Sequence, residues 1–170
     1  MLPPEIGWRR GLLMKFVLDD GGRAAAGFKG HTGDCVVRSI AIAANLPYLE
    51  VYKALSEGCR NQRLSKRSSK KSSARDGVHV SRKWFKIYME KLGWKWTPCM
   101  GIGTGCKVHL VDGELPMGRL IVSVSKHYTA VIDGVIHDTH DPQRSTETVD
   151  VCNQVVSVAH RCVYGYWSKT

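Results

Sequence analysis

The stretch Gly33-Asp34-Cys35-Val36-Val37-Arg38-Ser39-Ile40-Ala41-Ile42-Ala43-Ala44 decides the fold. Val36, Val37, Ile40, Ala41 and Ala44 recur at the spacing of one buried helix face. Asp34 is the expected N-cap, and Gly30 and Gly33 make the preceding segment loop-like. Cys35 then falls in the first turn, where free backbone N–H groups and the positive end of the helix dipole favour a thiolate. A thiolate nucleophile needs a base, and the candidate lies far along the chain. It opens the stretch His127-Tyr128-Thr129-Ala130-Val131-Ile132-Asp133-Gly134-Val135-Ile136-His137-Asp138.

Composition bounds the classes to consider. The 170 residues suffice for one domain with a real core, and 43% hydrophobic with 24% charged residues is ordinary for a globular chain. No apolar run approaches the roughly 20 residues of a membrane helix. Leu12-Leu13-Met14 is too short for a signal peptide, which points to the cytoplasm. The six cysteines (Cys35, Cys59, Cys99, Cys106, Cys152 and Cys162) lack a CxxC pair and have irregular spacing, so most read as free thiols rather than a disulfide framework. A net charge of +10 calls for an anionic partner or a local basic segment.

Residues 1–13 read as a poorly ordered extension, and residues 14–170 as a single domain. Lys15-Phe16-Val17-Leu18 is strand-like, and Ala24–Phe28 is a second, weaker strand candidate. Pro47 suits the first turn of a second helix, in which Tyr48, Val51, Tyr52 and Leu55 share a face and which Gly58 should end. A basic insertion at about 60–77 follows. Its core, residues 60–75, has no acidic residue and almost nothing apolar, so it reads as a mobile loop. Lys66, Arg67, Lys70 and Lys71 would be its nucleic-acid contacts. Ser81 is the expected cap of a third helix, with Trp84, Phe85, Tyr88, Met89 and Leu92 inward and Gly93 as its stop. From Trp94 the period changes to two. Trp94/Trp96, Cys106/Val108/Leu110, Leu120/Val122/Val124 and Val131/Val135 read as pieces of an antiparallel sheet, closed by one or two strands between Val155 and Trp167. Helices first and strands after predict an α+β fold with a helical layer on one sheet face.

The hairpin after His127 can be read residue by residue. Asp133-Gly134 implies a two-residue turn, which pairs Ile132 with Val135, Thr129 with Asp138 and His127 with His140. His127 and Asp138 then share a face as diagonal neighbours, while His137 points to the other side. This predicts a triad in which Cys35 attacks, His127 carries the proton and Asp138 orients the ring. Cys99, Cys106, His137 and His140 are too loosely spaced for a zinc set, and no metal or cofactor is expected. Gly101-Ile102-Gly103-Thr104-Gly105 lacks the strand–helix context of a phosphate loop and reads as a rim of the active cleft.

These two stretches resemble the papain-like cysteine peptidase superfamily, in particular its small bacterial and phage branches, the C39-like peptidases and the NlpC/P60 and CHAP hydrolases. The resemblance runs from about Phe28 to Pro142 and rests on Asp34-Cys35 and on His127–Asp138. It implies a helix-borne nucleophile packed against a sheet that carries the base. Two features depart from it. Where those enzymes place a glutamine about six residues before the cysteine, this chain has Lys29, leaving His31 or Thr32 as the second oxyanion donor beside the Cys35 N–H. His137 could also take the place of the third member if the turn were longer.

The expected activity is cleavage of an amide through a thioester acyl-enzyme, in a peptide, a protein or a peptidoglycan stem, by a monomer. Acyl transfer by the same triad is an alternative. So is an inactive scaffold that binds nucleic acid or a host protein through its basic insertion.

Overall fold

The helix expected at Cys35 is present as α1 (Cys35–Ala44), in a computed structural model that describes residues 12–64 and 72–169. It is buried on more than one face: Val36 through Ala43 are all buried, because α1 lies between the sheet and α2 (Tyr48–Arg60). Asn45, with φ of 53°, ends α1 in the left-handed conformation that asparagine tolerates.

Asp34 does not cap α1. Its carboxylate is buried and takes a hydrogen bond from Tyr48 Oη at 2.6 Å, an ion pair with Arg38, and Arg23 Nε at 2.9 Å. A desolvated carboxylate gains more from cations and a hydroxyl than from one amide N–H.

Several local expectations shift. Pro47 is the residue before α2 rather than its first member, and α2 runs through Gly58 to Arg60. Gly58 serves packing instead of termination: a Cβ there would lie 2.3 Å from the Trp84 ring. Residues 21–27 form turns, not a strand, and Phe28 stacks against Tyr48 and Tyr52 at 5.1 and 4.8 Å. The third helix, α3 (Lys83–Lys91), starts one residue later than Ser81 predicts, after Arg82. Phe85 and Met89 are its fully buried members.

The strands are β1 (Lys15–Leu18), β2 (Trp94–Pro98), β3 (Arg119–Val124), β4 (His127–Ile132), β5 (Val135–Asp138), β6 (Ser145–Val149), β7 (Val155–His160) and β8 (Val163–Lys169). Six of them form one sheet in the order β1-β5-β4-β3-β8-β2, and β6 pairs with β7 apart from it. The main sheet is antiparallel except for β1, which runs parallel to β5. Three helices and a mostly antiparallel sheet make this an α+β fold.

Both sheet faces are covered. Ile121, Ala130 and Trp167 join Val37, Ile40, Val51, Leu55 and Phe85 in the core beneath the helices. Leu120, Val122, Val131 and Ile136 turn the other way and pack with Met14 and Leu110. Residues 106–110 are therefore a packed loop, tied to the sheet by the single bridge from His109 to Cys162, rather than the strand their alternation suggested.

That loop carries a disulfide, Cys106–Cys162, which corrects the reading of these two cysteines as free thiols. Spacing along the chain could not reveal it, because the two come together only through the fold, with Cα atoms 5.8 Å apart.

Of the basic insertion, residues 65–71, which include Lys66, Arg67, Lys70 and Lys71, lie outside the described residues. Its flanks are packed: Gln62 accepts hydrogen bonds from Trp84 Nε1 and Ser72 Oγ, and Ser73 pairs with Gly77.

Candidate active site

Four elements converge at one end of the main sheet: the start of α1, the end of β3, the start of β4 and the end of β5. The β4–β5 hairpin sets the geometry. Asp133 and Gly134 have φ of 46° and 78°, both positive as a tight two-residue hairpin turn demands, and Ile132 pairs with Val135. The same register carries Val131 to Ile136 and Ala130 to His137. Asp138 thereby becomes the diagonal neighbour of His127, and His127 Nε2 lies 2.7 Å from Asp138 Oδ2. His137 faces the other side of the sheet, where its Nδ1 is 3.3 Å from Asp19.

With Nε2 engaged by Asp138, the second ring nitrogen of His127 is left for the Cys35 sulfur, and His127 and the Tyr128 backbone N–H both favour the thiolate. Burial pushes the Cys35 thiol up, but the His127 hydrogen bond, the Tyr128 N–H and the charges of His127 and Arg38 outweigh it and lower its pKa. Burial by itself would lower the His127 pKa. The hydrogen bonds to Asp138 and Cys35 overcome this and raise it to about 9. Asp138 is pushed up by burial and pulled further down by the His127 hydrogen bond and charge, so it stays ionised. The arrangement shifts Cys35 toward the thiolate and His127 toward the imidazolium, backed by a carboxylate.

Cys35 and His127 border a cleft of about 540 Å³, and Asp138 is buried behind the His127 ring. Val36, Val78, Val80 and Val124 give it apolar walls, and Lys126, His140 and Tyr164 stand at its edge. The wall opposite β4 comes from residues 76–80, held close because Gly33 has no side chain: a Cβ there would sit 3.0 Å from the Asp76 carbonyl oxygen. Of the two expected oxyanion donors, Thr32 lines the cleft, with its buried hydroxyl unpaired among the described residues. His31 is exposed and is not among the lining residues. Gly101–Gly105 folds into an exposed turn around Thr104 and does not border the cleft as predicted.

Cys99, Cys106, His137 and His140 are not brought together, since Cys106 is bonded to Cys162 and His137 lies across the sheet. Among the other free thiols, burial raises Cys59 and Cys99 above the ordinary cysteine range. Cys152 is exposed.

Sequence reasoning missed Arg38. Its Nη1 pairs with Asp34 Oδ1, and its Nη2 lies 3.8 Å from Asp138 Oδ1. The available signal was an arginine inside an otherwise apolar helical run, four residues after an aspartate.

No family model, curated protein or solved structure matches the chain, so the functional argument rests on the geometry of this cleft.

Proposed function

We propose that the protein is a cysteine-dependent hydrolase of the papain-like kind that cleaves an amide bond through a thioester. The observation that carries the reading is His127 held between Asp138 at 2.7 Å and the Cys35 sulfur, at the start of a helix and in an open cleft. In this reading the Cys35 thiolate attacks the amide carbonyl, the C–S bond forms and the carbonyl electrons move onto oxygen. The oxyanion rests on the Cys35 backbone N–H, with Thr32 as the second donor. His127 gives its proton to the departing nitrogen as the C–N bond breaks. Water then attacks the thioester while His127 takes one of its protons, and the acid leaves as Cys35 is restored. Asp138 holds the ring and stabilises the imidazolium throughout.

Iodoacetamide labelling at pH 6.5, mapped by mass spectrometry, tests the site. Cys35 should be modified well ahead of Cys59, Cys99 and Cys152. His127→Ala should slow Cys35 labelling sharply, Asp138→Asn should give an intermediate loss, and His137→Ala should change little. Equal labelling of Cys35 in the wild type and His127→Ala would overturn the reading. Transfer of the acyl group to an added amine in preference to water would turn it into an acyltransferase.

A further inference from the structure

Arg38 has no part in the chemistry just described, yet it is the cation that both acids of the site share. Its side chain is 9% exposed. One arm of the guanidinium pairs with Asp34, the residue before the nucleophile, and the other reaches toward Asp138, the residue behind the base. Asp138 Oδ2 is committed to His127, and Oδ1 accepts the Thr139 N–H at 2.7 Å while facing Arg38. Asp34 is held in turn by Tyr48 and Arg23. A single buried guanidinium thus links the floor of α1 to the end of β5.

We propose that Arg38 is a positioning residue whose buried charge sets the pH window in which the Cys35–His127 pair is ionised. The proposal rests on the reading of that pair as the reactive site. A fixed cation favours the deprotonated form of each neighbour. Arg38 therefore draws the proton from the Cys35 thiol at lower pH, and it limits how far Asp138 can raise the basicity of His127.

The other charged or titratable groups around the pair are Asp34 before α1, Lys126 in the β3–β4 turn, Tyr128 on β4, Asp138 at the end of β5 and His140 beyond it, Asp76 opposite, Arg161 before β8 and Tyr164 on it. Lys126, Asp76 and His140 are exposed, so solvent screens them more than it screens Arg38.

The test follows two limbs of the titration: iodoacetamide reaction rate at Cys35 against pH, and the NMR shift of the His127 ring against pH. Arg38→Met should move both limbs to higher pH, the cysteine limb more than the histidine limb. Arg38→Lys, which keeps the charge, should restore most of the shift. A loss of packing alone would separate the pair instead, raising the cysteine limb and lowering the histidine limb; that result, or unchanged limbs, would overturn the proposal.

If Arg38→Met does not fold, Asp34→Asn serves in its place, because the amide can still accept from Tyr48. It leaves Arg38 less neutralised, so both limbs should move to lower pH, and movement upward or none would overturn the proposal. A wild type without preferential Cys35 labelling would instead defeat the hydrolase reading itself, which keeps the two failures distinct.

Discussion

The fold lowers the pKa of Cys35 and raises that of His127, and this has a measurable effect on stability. Between pH 6.5 and about 9 the folded state keeps a proton on His127 that the unfolded chain has released. Its stabilisation is complete below the unfolded value and is lost as pH rises through the folded one. Cys35 works in the opposite sense. Its lowered pKa gives stability that is complete above the unfolded thiol value and is lost as pH falls through the folded one. The two slopes oppose each other, so the melting temperature of the wild type should fall less with rising pH than His127 alone would dictate. Cys35→Ser removes one slope and leaves the His127–Asp138 contact, so its melting temperature should fall as pH rises from 6.5 toward 9. Thermal melts at half-unit pH steps check this; a flat profile in Cys35→Ser would show that His127 is not held as an imidazolium. The residues behind this behaviour were largely legible. A helix period starting at Cys35 and an Asp-Gly turn six residues after His127 suffice to pair the base with its carboxylate. Arg38 was not legible, because hydrophobic periodicity weighs an arginine only as an interruption. Its two acidic partners come together through the sheet.

At the scale of elements, Gly58 misled for one physical reason. A glycine near the end of a helical pattern reads as a stop, yet Gly58 lies inside α2, and its missing side chain admits the Trp84 ring of the segment that opens α3. Gly58→Ala improves intrinsic helix propensity by roughly 1 kcal/mol. It also places a methyl group 2.3 Å from an aromatic carbon, and overpacking of this kind costs about 1–3 kcal/mol. The Trp84 indole is anchored by its hydrogen bond to Gln62 at 3.2 Å, which restricts its retreat. The clash should outweigh the propensity. Gly58→Ala should lower the urea midpoint of unfolding and alter Trp84 fluorescence; a more stable variant would show that the ring moves aside freely. Strand alternation was a better guide than helix ends, because burial on a pleated sheet repeats every two residues whatever lies beyond the strand. It failed at residues 106–110, where alternation reflects a loop pressed on the sheet and not a ladder.

For the molecule as a whole, the Cys106–Cys162 bond spans 56 residues of sequence and joins the loop over the second core to the start of β8. Closing a loop of that length stabilises a fold by about 4 kcal/mol in the chain-entropy account. Incubation with dithiothreitol should therefore lower the melting temperature by several degrees, and Cys106→Ser should match it. No change in either would mean that packing alone secures the loop. Such a bond persists in oxidising surroundings. No helix among the described residues is long and apolar enough to cross a membrane.

The position of β8 has a consequence for synthesis. It is the last of the described strands in sequence but lies inside the sheet, between β3 and β2. While a ribosome is still making the chain, β2 has no partner and β3 has only β4, and β1 waits for β5, about 120 residues downstream. A nascent chain therefore carries its cysteine long before the histidine has a stable strand to stand on. On the hydrolase reading, the thiol meets its base only once the sheet closes.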